Sequence, residues 1–319
     1  MAGRGRFAPS PTGLLHLGNA RTALLAWLDA RAGGGTFVMR VEDLDRARVQ
    51  PGAEAQQLDD LRWLGLDWDE GPDRGGPFAP YRQSDRTRFY DAAIDRLLAE
   101  GRAFLCACSR ADVARAATAP HEGDGAGEPR YPGTCRGQDP ATVKARAAAQ
   151  GRAPAVRFDG RRELVGFADE LSGPTQAEVD DFVLRRADGT AAYQLAVVVD
   201  DAAMQVTRVV RGGDLLSSTP RQIALGRALR LAIPAFAHVP LVVTPGGARL
   251  AKRTRPVSLK SLRDAGHRPE AIVGVLAASA GLGRGEPIPA RELVAGFELS
   301  RVRREPAVVM IGQPGNTSG

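Results

Sequence analysis

The chain has 319 residues, 43% of them hydrophobic and 25% charged, with a formal net charge of +6. That length supports a real core and two domains, or one domain with an insertion, in an ordinary globular composition. Three cysteines, an odd number, argue against a disulfide framework and leave metal binding open. No apolar run approaches the length of a membrane span and no signal-peptide pattern opens the chain, so a cytoplasmic protein is expected. The positive charge permits a nucleic-acid partner, although much of it is arginine in an Ala/Gly/Arg-rich chain.

The first element is a loop, Arg6-Phe7-Ala8-Pro9-Ser10-Pro11-Thr12-Gly13, whose prolines and glycine oppose a helix. His16-Leu17-Gly18-Asn19 then opens a helix with Leu17, Ala20, Leu24, Trp27 and Leu28 on one face. A helix N-terminus offers backbone N–H groups and the positive end of a dipole to phosphate. Gly18 admits a flat ring or a phosphate close to the backbone, and His16 supplies a donor to a phosphoryl oxygen. A strand from Thr36 ends at Glu42, and a helix around Ala53 to Leu64 follows. Another helix carries Tyr90, Ile94, Leu97 and Leu98 and stops at Gly101. This alternation predicts an α/β fold with a parallel sheet.

The texture changes near Phe104, and residues 104–190 read as an inserted subdomain between two halves of the sheet, 1–103 and 191–250. The nearly continuous apolar run Tyr193 to Asp200 predicts a buried strand. Thr207 to Arg211 predicts another. Thr219-Pro220-Arg221-Gln222 has the pattern of a capping box and predicts a helix start. His238 to Val243 reads as a strand and Pro269 to Ala280 as a helix within a short helical part, 251–305. A loose tail is expected over 306–319.

The fourteen residues from Arg6 to Asn19 resemble the first signature of class I aminoacyl-tRNA synthetases, in the form used by the glutamyl branch. Arg249-Leu250-Ala251-Lys252-Arg253, about 235 residues after His16, resembles their second signature loop. It departs from that pattern at Ala251, where serine is usual, and at Arg249, where lysine is usual. The resemblance implies a Rossmann-type catalytic domain. Within it, His16, Gly18, Asn19 and Lys252 would meet ATP, and His16 and Lys252 would act on the phosphates. Pro9, Pro11 and Gly13 shape the first signature loop. The resemblance places glutamate against Arg6, Ala8, Ser10, Glu42, Tyr193 and Arg211, with Mg²⁺ arriving on ATP.

Cys106, Cys108 and Cys135 could bind one structural zinc, which needs a fourth ligand. His121 is the chemically common choice. Tyr131 is favoured here because the Tyr131-to-Cys135 element resembles a zinc element of the glutamyl-queuosine branch. The chain also resembles that branch in continuing only about fifty residues beyond the second loop's first helix. That implies transfer of glutamate to queuosine in the anticodon of tRNA(Asp), by a protein expected to be monomeric and free of membranes. The alternatives are a truncated glutamyl enzyme charging the 3′ end of tRNA(Glu), and an inactive zinc-containing RNA-binding paralogue.

Overall fold

The structure, a computed structural model, describes residues 3–117, 130–243, 257–309 and 311, with side chains 115–117 excepted. His121 and the whole second signature loop, Arg249 to Arg253, lie outside the described residues.

β1 (Arg4–Phe7) runs through the proline loop into α1 (Leu17–Ala32) and back to β2 (Thr36–Met39). β1 and β2 are parallel, with Arg6 opposite Val38, and α1 is the crossover that parallel strands require. All five apolar residues expected on the buried face of α1 are at most 4% exposed. α2 (Ala53–Trp63) and α3 (Thr87–Ala99) follow as expected. Gly101 closes α3 in the left-handed conformation, φ 62°.

The segment expected as an insertion forms β3 (Ala103–Cys106), α4 (Arg110–Ala117), α5 (Pro140–Ala149) and β4 (Ala155–Phe158). It continues with β5 (Glu163–Asp169), β6 (Gly173–Val179) and β7 (Val183–Arg185). β3, β4 and β7 form an antiparallel sheet. The β5–β6 hairpin is not confined to the insertion.

The chain then forms α6 (Tyr193–Ala203), β8 (Arg208–Gly212), α7 (Thr219–Ala228), β9 (Ala235–Val239) and β10 (Val242–Val243). β8 and β9 are parallel, and β5 joins β9 where Asp169 meets Phe236, so one sheet runs β6-β5-β9-β8. Thr207 ties this sheet to β1: its amide donates to the Arg4 carbonyl at 3.0 Å. α8 (Leu259–Asp264) and α9 (Pro269–Ser279) complete the helices, and β11 (Ala307–Val308) pairs in parallel with β10.

Three expectations are corrected. The apolar run from Tyr193 is a helix, because its less buried positions Gln194, Val198 and Ala202 recur every four residues, not every two. An apolar run of eight residues does not by itself reveal which period governs it. The Thr219 capping box does not form: the hydroxyl faces Arg211 and His238, and Gln222 donates to Gln194. The tail does not begin at 306, since Ala307 and Val308 are paired and Val309 and Ile311 pack on the core.

Two apolar clusters cover the two sides of the parallel strands, one built on α1, α2 and α9 and the other on α3, α6 and α7. The carboxyl ends of β1 and β8 therefore open into a cleft, the place where open α/β sheets bind ligands. Among the described residues, no helix is long and apolar enough to cross a membrane.

Candidate active site

The cleft has a volume of about 620 Å³. Its lining brings together Arg6, Ala8, Pro9, Ser10, Gly13, His16, Gly18, Asn19, Glu42, Tyr193 and Arg211. Pro11 is buried outside this lining; its carbonyl accepts from the Gln50 amide at 2.9 Å. Both flanks of the second signature loop reach the cleft region. Val242 lines it, and the Leu259 amide donates to the Leu15 carbonyl at 2.9 Å.

His16 is the N-cap of α1. Its Nδ1 accepts from the Gly18 and Asn19 amides at 3.1 and 3.4 Å, while Asn19 Oδ1 accepts from the His16 amide at 3.3 Å. Two of the N–H groups assigned to phosphate are therefore already used. Because Nδ1 accepts, the ring hydrogen sits on Nε2, where it can be donated into the cleft. Gly18 has a second purpose as well: a Cβ there would lie 3.0 Å from His16 Cε1. The ring that approaches the backbone is the protein's own imidazole.

Burial holds His16 below the usual 6.5, and burial does the same to His238. Between those lowered values and 6.5 the unfolded chain binds protons that the folded chain does not. Stability should therefore fall as pH drops through that interval. Tm measured from pH 8 to pH 5.5 should decline below about 6.5. The decline should be shallower in His16→Asn, which keeps a capping oxygen. An equal decline in both proteins would remove His16 as a cause.

The acidic and basic groups form one network. Arg6 donates from Nε and Nη2 to the two oxygens of Asp201, both at 3.3 Å. Arg40, fully buried, donates to Asp201 Oδ1 at 2.6 Å and to Glu42 Oε1 at 3.0 Å. Against the cost of burial, Arg6 and Arg40 hold the Asp201 carboxyl below its usual range, whereas burial raises that of Glu42 despite Arg40. Burial lowers the pKa of Arg211, and the charge of Arg6 adds to the effect. Two guanidinium groups thus flank a space that favours an anion, beside a carboxylate that favours a cation. Tyr193, 36% exposed, opens α6 at the same cleft.

Away from the cleft, β3 delivers Cys106, the following turn Cys108, and the turn before α5 delivers Tyr131 and Cys135. The three sulfurs lie within 4.8 Å of one another. Cys108 Sγ is 3.6 Å from Cys135 Sγ, and Tyr131 Oη is 3.4 Å from Cys106 Sγ and 3.9 Å from Cys108 Sγ. A tetrahedral zinc would set sulfurs about 3.8 Å apart and oxygen about 3.5 Å from sulfur. The donor set fits a metal ion and is compatible with zinc. Arg146 donates to Cys135 Sγ at 2.7 Å and Arg157 to Cys106 Sγ at 3.3 Å, partners suited to thiolates. Without a metal, burial and the neighbouring Cys106 push the Cys108 thiol up to about 11.

The catalytic-domain model of class I tRNA synthetases (E and Q) matches residues 4–304. The chain belongs to this family. It is 55% identical over 306 residues to glutamyl-Q tRNA(Asp) synthetase of Symbiobacterium thermophilum, covering 95% of this chain and 94% of that one. It is 52% identical to the glutamyl-Q tRNA(Asp) synthetase of Nocardia farcinica, covering 97% and 94%. Among solved structures, glutamate-tRNA synthetase from Elizabethkingia anophelis superposes with a TM-score of 0.83 at 29% identity, over 97% of this chain and 68% of that one.

Sequence reasoning missed several residues that this class I synthetase fold brings to the site. Arg40 and Asp201 organise the charges, and Gln57 donates to the Ser10 and Gly13 carbonyls at 3.1 and 2.7 Å, bracing the first signature loop. Arg40 alone had a local signal, since it stands two residues before Glu42 on an extended segment and so shares its side. Asp201 and Gln57 had none, because their partners are remote in sequence.

Proposed function

We propose that this protein activates L-glutamate with ATP and transfers it to queuosine in the anticodon of tRNA(Asp). The observation that carries the activation step is the cleft itself. Two guanidinium groups, the Glu42 carboxylate and the Nε2–H of His16 converge where the parallel strands end. A dicarboxylic amino acid satisfies that pattern, with its side-chain carboxylate toward Arg6 and Arg211 and its ammonium toward Glu42. Ala8, Ser10 and Tyr193 complete the walls.

ATP enters as its Mg²⁺ complex. The α-carboxylate of glutamate attacks the α-phosphorus in line; a P–O bond forms and the bond to pyrophosphate breaks. No general base is needed, since the carboxylate is ionised at neutral pH. The protein supplies position and charge stabilisation: His16 Nε2–H donates to a phosphoryl oxygen, and Gly18 and Asn19 face the nucleotide. A hydroxyl of the queuosine cyclopentenediol then displaces AMP from the acyl carbon. The acceptor is inferred from the two relatives named glutamyl-Q tRNA(Asp) synthetase, matched along 94% of their length. Single-stranded loops are the usual targets of specific RNA recognition.

The test is charging of purified tRNA(Asp) with and without queuosine, with periodate oxidation of the 3′ end beforehand. Glutamate should attach only to the queuosine-containing tRNA and survive the oxidation. Charging of tRNA(Glu) that oxidation abolishes would overturn the reading. ATP–pyrophosphate exchange should depend on glutamate and need no RNA; its absence would point to an inactive RNA-binding paralogue.

Lys252 is assigned by its motif to the leaving pyrophosphate, with Arg249, Leu250, Ala251 and Arg253 forming the rest of that loop. Lys252→Ala should slow exchange about 10²-fold with little change in KM for glutamate, because its charge acts in the transition state. Unchanged turnover would refute the assignment.

The cysteine cluster is inferred to hold one structural zinc through Cys106, Cys108, Cys135 and Tyr131. Elemental analysis should find about one zinc per chain, and chelation should lower Tm. Tyr131→Phe should weaken zinc retention; full retention there, with loss in His121→Ala, would make His121 the fourth ligand. Metal-replete protein without zinc would overturn the site. The cytoplasm is the proposed location and a monomer the proposed state.

A further inference from the structure

Arg211 reaches the cleft with two of its three guanidinium nitrogens already engaged. Its Nε donates to His238 Nε2 at 3.0 Å and its Nη2 to Thr219 Oγ1 at 2.8 Å. Its Nη1 is buried and has no protein partner among the described residues. His238 accepts from Nε only through the lone pair of Nε2, so its ring hydrogen is on Nδ1. Asp169 Oδ2 stands 2.6 Å from that Nδ1. Asp169 is itself held: its Oδ1 accepts from the amides of Leu171, Ser172 and His238 at 3.1, 2.8 and 3.3 Å.

The pair is dry. Both side chains are 0% exposed. The Phe236 ring stacks on His238 at 6.2 Å and lies 5.3 Å from the Arg211 guanidinium carbon. In such surroundings a wrong tautomer would set two N–H donors against each other with no water to separate them.

We propose that Asp169 and His238 are positioning residues for substrate selection. Asp169 fixes the tautomer of His238, and the Nε2 lone pair of His238 fixes the orientation of Arg211. The N–H groups of Nη1 are thereby reserved for the side-chain carboxylate of the amino acid. Asp169 belongs to the inserted segment and His238 to β9, so the joint between β5 and β9 is part of the amino-acid site. The inference rests on the reading of Arg211 as a glutamate ligand.

Asp169→Asn tests it in the exchange assay. The amide oxygen can keep the three backbone donors, while the amide nitrogen donates to Nδ1 and drives the ring hydrogen to Nε2, toward Arg211. KM for glutamate should rise about 10- to 100-fold while KM for ATP stays within about 2-fold. His238→Gln presents the original pattern, an N–H to Asp169 and an oxygen to Arg211, and should stay within about 3-fold of the parent for glutamate. His238→Leu lacks the acceptor and should resemble Asp169→Asn; it decides the matter if Asp169→Asn does not fold. Equal KM for glutamate in His238→Gln and His238→Leu, or parallel changes in KM for ATP, would overturn the inference. Arg211→Ala separates the two levels. If it leaves KM for glutamate unchanged, the reading of Arg211 fails; if it raises that KM and the other variants do not, only the positioning role fails.

Discussion

Replacing Arg40 by methionine is expected to destabilise the protein by about 3–5 kcal/mol and to raise KM for glutamate at the same time. Arg40 is fully buried, and its guanidinium lies 2.6 Å from Asp201, 3.0 Å from Glu42 and 4.0 Å from Asp200. Asp200 would keep Arg86 at 2.6 Å, and Asp201 would keep Arg6 at 3.3 Å. Glu42 would keep no ion-pair partner within reach among the described residues. Its carboxyl, already raised by burial, would be raised further with Arg40 gone, which weakens its attraction for an ammonium group. Denaturant midpoints and exchange kinetics measure the two effects. A loss below about 1 kcal/mol would show that the network tolerates removal of its central charge.

Glutamine should support exchange at least about 10³-fold less efficiently than glutamate. The discrimination is electrostatic. Arg6 and Arg211 repel each other, and the Arg211 Nη1 is buried without a partner among the described residues. A carboxylate answers both charges. A neutral amide answers neither and presents an N–H group to a donor, leaving buried cationic charge uncompensated. The comparison of kcat/KM for the two amino acids checks it directly. Comparable values would mean that this guanidinium pair does not recognise a side-chain carboxylate.

Where the chemistry is local, it was legible in the sequence. Loop, cap and helix from Arg6 to Leu28 are contiguous, so the pattern read as a phosphate loop is also the pattern that starts α1. Even so, the structure changed its meaning, because His16 Nδ1 takes the Gly18 and Asn19 amides and leaves the ring's Nε2–H toward the cleft. Cys106, Cys108, Tyr131 and Cys135 were likewise legible, since the end of β3 with its following turn and the turn before α5 supply all four atoms. Tyr193 lines the cleft from a helix and not from the strand expected, because burial around most of an apolar run conceals its period.

The sequence by itself therefore determined the family, the first loop with the helix it starts, the charged residues that line the cleft and the cysteine cluster. Each depends on residues close in the chain or on a motif carried intact. Only the tertiary structure decided what holds those residues in place. Arg40 and Asp201 are 161 positions apart, Asp169 and His238 are 69 apart, and Arg6 meets Asp201 across 195. No local propensity links such positions. They meet because the two halves of the parallel sheet and the β5–β6 hairpin pack together. In that dry interior an ionised group persists only where an opposite charge or a matching donor has been brought to it.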